Sequence, residues 1–133
     1  MEYISCSDPR VWGDSDARTI QNAIALAKQE GCDQVVIPRR NARTGEAVWH
    51  IDENIVLPSS MTVVLSGAYL RAADDLPVHV FCTELSQTEL HDIRILGTGE
   101  ATLDGGAWTR ENRPEYYHEQ APEEYPDGCD YDL

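Results

Sequence analysis

A chain of 133 residues has the length of one domain and can bury a core of ordinary size. Its residues are 41% apolar, yet no stretch approaches the roughly 18 consecutive apolar residues that a membrane-spanning helix needs. The net charge of −14 comes without a basic stripe, which argues against nucleic-acid partners and against anionic membrane surfaces, since both require clustered Lys and Arg.

The opening, MEYISCSDPRVWGDSD, lacks a basic region followed by an apolar run. No secretory leader is therefore expected there, which leaves a cytoplasmic protein, the default, or a secreted one supplied without its leader. Residues 14–30, DSDARTIQNAIALAKQE, predict the one convincing helix. Ala17, Ile20, Ile24 and Ala27 form an apolar stripe at helical spacing, widened by Ala23. Ser15 or Asp16 is placed to cap its first turn, and Gly31 to end it. The stripe is Ala-rich and shallow, so the helix is expected to lie close on a flat surface.

From residue 33 the period changes to that of short strands: DQVVIP, VWHI, NIVLP, TVVLSG, AYLRA, VHVF, HDIRILG and ATLD. Each is rich in Val, Ile or Leu and bounded by Gly, Pro, Asn, Asp or Ser. No second helical pattern intervenes, which excludes a doubly wound fold. The scarcity of Asn-Gly and Asp-Gly pairs between strands argues against a hairpin-built sandwich or barrel.

One segment repeats. MTVVLSGAYLR at 61–71 overlays HDIRILGTGEATLD at 91–104, matching Val63 with Ile93, Leu65 with Ile95, Gly67 with Gly97, Ala68 with Ala101 and Leu70 with Leu103. A period of about 30 residues with strand–turn–strand content predicts the coils of a β-solenoid, in which equivalent apolar positions stack inward. The glycines allow a tight corner where a β-carbon would clash.

DARTIQNAI (16–24), DQVVIP (33–38), IVLPSSMTVVLSGAYLRA (55–72) and ILGTGEATLDGGAW (95–108), in that order, resemble the N-terminal part of pectate-lyase-like right-handed parallel β-helix proteins. The similarity is greatest to the family 28 glycoside hydrolases, the polygalacturonase group. The resemblance implies an all-β fold comprising the first few coils of a right-handed parallel β-helix, closed at its N-terminal end by a capping α-helix. It divides the chain into 1–108, the cap and first coils, and 109–133, an acidic Tyr- and Pro-rich loop or tail. It implies the opening portion of a polysaccharide-active protein, a polygalacturonase-like hydrolase of pectin-type or other uronic-acid-containing glycans. The alternatives are a non-catalytic β-helix module for carbohydrate binding or assembly, or a polysaccharide lyase on the same fold. The partner is a polysaccharide or oligosaccharide, and no cofactor is expected.

The family's catalytic motifs (an Asn-Thr-Asp segment, an Asp-Asp pair, a Gly-His-Gly and an Arg-Ile-Lys) do not occur here in matching context. Asp74-Asp75 lies in the loop AADDLP, His79 and His91 lack flanking glycines, and IRIL at 93–96 ends in Leu. No catalytic or substrate-binding residue is carried over, so the catalytic coils are expected outside this chain, which alone is expected to be inactive.

The residues alone offer further candidates for chemistry. Glycoside hydrolysis takes two carboxyl groups about 5–10 Å apart, and the candidates are Asp74 with Asp75, Asp92 with Asp104, and the tail acids. Asp104 also reads as a cap on the turn at Gly105 and Gly106. Asp127, Asp130 and Asp132 have short spacings that suit calcium but lack the full loop pattern, so no metal site is assigned. Trp108, Tyr116, Tyr117 and Tyr125 offer rings that either stack on sugars or pack on the coil wall. Cys6, Cys32, Cys82 and Cys129 show no metal-ligand spacing and read as isolated thiols. Finally, an unfinished coil stack exposes unpaired backbone groups, which predicts marginal stability alone or self-association through the open end.

Overall fold

The computed structural model describes residues 3–76, 78–83 and 89–107. Strands dominate, with a single α-helix, α1 (Asp16–Glu30), and a short 3-10 turn at Pro9–Val11 among the described residues. Helix α1 begins where the Ser15 hydroxyl oxygen accepts the Arg18 N–H, and it ends at Gly31, whose φ of 75° is open to a residue without a β-carbon. Ser15 is thus the cap, and Asp16 takes a different role described below. The predicted stripe, Ala17, Ile20, Ala23, Ile24 and Ala27, is buried. No described helix is long and apolar enough to cross a membrane.

The strands are β1 (Ile4–Ser5), β2 (Gln34–Pro38), β3 (Val48–Ile51), β4 (Ile55–Leu57), β5 (Met61–Ser66), β6 (Tyr69–Ala72), β7 (Phe81–Thr83), β8 (Ile93–Thr98) and β9 (Thr102–Asp104). They pair only in parallel, in three sheets ordered β1-β2-β5-β8, β3-β6-β9 and β4-β7. From β2 onward, successive strands enter the three sheets in rotation, so each sheet gains one strand per round. The segment VHVF contributes less strand than its pattern predicts: β7 starts at Phe81, and Val78 and Val80 pack on the core from outside a strand.

Parallel register stacks like positions. Ile4, Val35, Val63 and Ile95 follow one another across the first sheet, and Trp49, Leu70 and Leu103 across the second. The core lies between the sheets and under α1, which packs on β1, β2, β3 and β4. Along each row burial ends abruptly. Val63 and Leu70 are fully buried, whereas their neighbours in the last round, Ile95 and Leu103, are 40% and 51% exposed. Leu70→Ala is therefore expected to cost about 2–5 kcal/mol, and Leu103→Ala less than about 1 kcal/mol, because only the former leaves a cavity. Urea denaturation of the two variants gives the comparison, and equal losses would contradict the graded core.

The corner between the first two sheets corrects the repeat as read from sequence. Met61 pairs with Ile93 and Val63 with Ile95, two residues away from the expected match, while Leu70 pairs with Leu103 as expected. A two-residue slip keeps every side chain on its face, so hydrophobic pattern alone does not distinguish the registers. Backbone geometry does. Gly67 and Gly99 share φ values of 65° and 63°, and the Gly67 N–H donates to the Thr98 carbonyl, so Gly67 stacks on Gly99 rather than Gly97. One residue, Glu100, is then the insertion.

At the opposite end the sheet edge is covered. On the side of β4 away from β7, the Gln21 side chain donates to the Val56 carbonyl at 3.0 Å and accepts the Val56 N–H at 2.8 Å. A carboxamide thus supplies the hydrogen bonds of a missing strand, which removes an edge that would otherwise template association.

Candidate functional site

The outward face of β3, β6 and β9 gathers most of the polar chemistry. Register sets Val48, Tyr69 and Thr102 in one row and His50, Arg71 and Asp104 in the next. Asp74, in the turn after β6, completes a cluster with Arg71 and Asp104. The Arg71 guanidinium lies 2.7 Å from the Asp74 carboxylate and 3.7 Å from that of Asp104. The Tyr69 hydroxyl donates to the Asp104 oxygen that Arg71 approaches, Oδ2.

Both carboxylates also hold backbone. Asp104 Oδ1 accepts the Gly106 N–H at 2.9 Å, the turn-capping role expected for it, and Asp74 Oδ1 accepts the Ala107 N–H at 2.8 Å. Gly106 has φ 78°, and a β-carbon there would sit 2.4 Å from the Ala72 carbonyl oxygen. That position needs glycine on both counts. The DGG motif is therefore a clasp that lays the chain against the end of β6.

These contacts fix the protonation states. The Ala107 N–H and then the Arg71 guanidinium hold the Asp74 carboxyl below the usual aspartate range. For Asp104 the Tyr69 hydroxyl is the main cause, followed by the Gly106 N–H, with Arg71 adding attraction. The same hydrogen bond raises the Tyr69 phenol, because ionising it would place two anions together. Both carboxyls are charged at neutral pH, so neither holds the proton that a general acid must deliver.

Their contribution to holding the clasp is complete above the ordinary aspartate pKa of about 3.9 and disappears as pH falls through the lower folded-state values. The Gly106 and Ala107 amide resonances are expected to stay constant down to about pH 4 and to move together below it. Movement centred well above that pH would show that the carboxylates do not hold these amides.

The other predicted pairs fare differently. Asp75 adopts φ 60°, and its N–H donates to the Ala107 carbonyl, so the two residues hold the clasp from a turn, Asp74 through its side chain and Asp75 through its backbone. Asp92 and Asp104 are not brought together: Asp92 precedes β8 in the first sheet, and Asp104 ends β9 in the second. Asp92 instead lines a groove of about 290 Å³ with Asp33, Ser60, Thr62 and Arg94. Ser60 and Asp92 are both left-handed, with φ 60° and 57°, and the Ser60 N–H donates to the His91 carbonyl at this stacked corner. Trp108, the tail acids and tail tyrosines, the candidate calcium ligands Asp127, Asp130 and Asp132, and Cys129 lie outside the described residues. Among the described cysteines none is bonded, and burial pushes the Cys6 thiol far up, which makes it inert. No cluster of three or more His, Cys, Asp or Glu suited to a metal ion occurs among the described residues.

Sequence reasoning missed Tyr69 and Arg71 as partners of Asp104. The signal was present, since matching Leu70 with Leu103 also sets Arg71 beside Asp104. The buried Asp16 was missed for a different reason. It reaches Asn41, Arg43 and the His50 N–H, all distant in sequence, and no local pattern announces them.

The described residues form a strand-rich architecture of three parallel sheets with one α-helix against the first round of strands. Comparison with known proteins returns no match, whether to a family model, a curated protein or a solved structure.

Proposed function

We propose that the chain is the opening of a right-handed parallel β-helix in a polysaccharide-active protein, a polygalacturonase-like glycoside hydrolase whose catalytic coils lie beyond these residues. The observation that carries this reading is the rotation of successive strands through three parallel sheets, with like residues stacked from round to round. Parallel crossovers are right-handed in nearly all proteins, because strand twist favours that return path. The amphipathic helix against the first round, and the exposed Ile95 and Leu103 in the last, fit a stack closed at one end and continued at the other. The motifs from DARTIQNAI to the DGG clasp add the family resemblance.

One observation favours a second reading, a non-catalytic module for carbohydrate binding or assembly. Asp74 and Asp104, the carboxylates that share Arg71, are ionised and engaged with backbone.

The test is to incubate polygalacturonate with the natural full-length polypeptide and, separately, with the 133-residue chain. The proposal expects new saturated reducing ends from the full polypeptide and none from the short chain. Unsaturated ends would mark a lyase instead. Binding without any cleavage by the full polypeptide would overturn hydrolysis in favour of the module.

A further inference from the structure

The corner formed by Gly67 and Gly99 carries no side chain, and a groove of about 240 Å³ opens over it. Arg39, Val48, Gly67, Tyr69, Glu100 and Thr102 line it. We propose that this groove is a binding subsite for an acidic sugar residue, with Arg39 taking the carboxylate and the Tyr69 ring carrying the apolar face of the sugar. The proposal rests on the polysaccharide reading above and names the residues that would recognise the charge.

Arg39 is the first reason. Arg10, Arg18, Arg43 and Arg71 each pair with a carboxylate, while Arg39 is exposed and has no ion pair among the described residues. An unpaired guanidinium beside a groove offers an anion a local partner even in a chain whose net charge of −14 otherwise repels it. Its fork matches a carboxylate in two parallel hydrogen bonds. Arg40 and Arg94 also lack an ion pair among the described residues, but Arg40 does not line this groove, and the groove at Arg94 holds two carboxylates, Asp33 and Asp92, against the single Glu100 here, with no aromatic face in its lining.

Tyr69 is the second. The residue is 36% exposed, and its hydroxyl is tethered to Asp104, so the ring is held rather than free to turn. A held aromatic face offers dispersion and apolar contact to the C–H face of a pyranose with little entropy left to lose. The remaining lining completes the chemistry of a sugar. The Glu100 carboxylate accepts from ring hydroxyls, and the Thr102 hydroxyl, which donates to the Glu100 carbonyl at 3.0 Å, keeps its lone pairs for a sugar donor. Gly67 lets the ring approach the backbone closely. A few fixed polar groups around an apolar contact are the usual composition of a small-ligand site.

The experiment is an amide-shift NMR titration of the 133-residue chain with trigalacturonate and, in parallel, with its methyl ester. Trigalacturonate is expected to shift Gly67, Tyr69 and Thr102, and the ester to bind about tenfold more weakly because it has lost the charge that Arg39 reads. Arg39→Gln should weaken trigalacturonate binding by a similar factor and bring acid and ester together. Arg40→Gln, an identical charge change on the adjacent exposed residue, should not. Tyr69→Ala should abolish binding, and Tyr69→Phe, which keeps the ring, should retain most of it. Circular dichroism of each variant separates loss of the site from loss of the fold.

Equal effects of Arg39→Gln and Arg40→Gln, equal affinity for acid and ester, or no shifts at the groove would overturn the proposal. Cleavage of polygalacturonate by the full polypeptide alongside any of these outcomes would leave the hydrolase reading intact. Arg39-dependent binding without cleavage would support the groove and remove the hydrolase.

Discussion

Asp16→Ala is expected to destabilise the chain by about 3–5 kcal/mol, among the largest effects of any single substitution, because it strands buried partners that have no replacement. Asp16 is only 3% exposed. Its Oδ1 accepts from Asn41 Nδ2 at 2.7 Å and from the Arg43 guanidinium at 2.6 Å, and its Oδ2 accepts the His50 N–H at 2.7 Å. One carboxylate thus joins the start of α1 to the loop 39–47 and to β3. Asn41 is fully buried, so losing its acceptor costs the desolvation of its amide. Arg43 suffers more, since its Nε is already buried without a partner. Asp16→Asn keeps one acceptor oxygen but turns a donor toward the remaining N–H groups, so an intermediate loss of about 1–3 kcal/mol is expected. Chemical denaturation of the two variants and of Arg43→Ala alone measures this. If Asp16→Ala costs no more than an exposed carboxylate would, the junction is not holding the corner.

Trp49→Ala is expected to cost a comparable amount, about 3–5 kcal/mol, through a different mechanism. Trp49 is fully buried at the head of the row that continues through Leu70, and its indole N–H donates to the Pro38 carbonyl at 2.9 Å. Truncation opens a cavity between the first two sheets and leaves that carbonyl, at the end of β2, without its donor. Trp49→Phe restores most of the volume but not the hydrogen bond, so it should recover most, though not all, of the loss. A domain of this size has only about 5–15 kcal/mol in total, so combining Trp49→Ala with Asp16→Ala, a loss of about 6–10 kcal/mol, should remove most of its stability. A double variant whose denaturation midpoint matches the unsubstituted chain's would contradict both assignments.

Much of the fold is readable from local chemistry. The helix follows from Ala and Ile at helical spacing between Ser15 and Gly31, and most strands follow from Val-, Ile- and Leu-rich runs bounded by turn residues. Strand β1 is not readable in this way. Two residues of an otherwise irregular segment become a strand because the open edge of β2 supplies the partner. Likewise Gly67 overlays Gly97 or Gly99 equally well by residue type, and only the left-handed backbone they must share selects Gly99. Gly97 has a tighter role, since a β-carbon there would lie 3.1 Å from that of Ala101.

The candidate site was legible in part. Asp104 announced itself as a turn cap through the glycines that follow it, and its link to Arg71 was implicit in the register of Leu70 with Leu103. The partnership of Asp74 with the same arginine was not, because it depends on how the turn after β6 folds back. Asp16 illustrates the general limit. An acid in the first turn of a helix is sufficiently explained by the helix dipole, so nothing in the sequence asks for the buried role that it takes.

In the proposed β-helix, β8 and β9 are a middle layer rather than an end, and the intact mass of the native polypeptide decides between the two. The exposed apolar residues Ile95 and Leu103 continue rows whose earlier members are buried, so a mass well above 14.9 kDa is expected, with further coils covering them. A native mass of 14.9 kDa would contradict it and would leave carbohydrate binding or assembly, not hydrolysis, as the function to pursue.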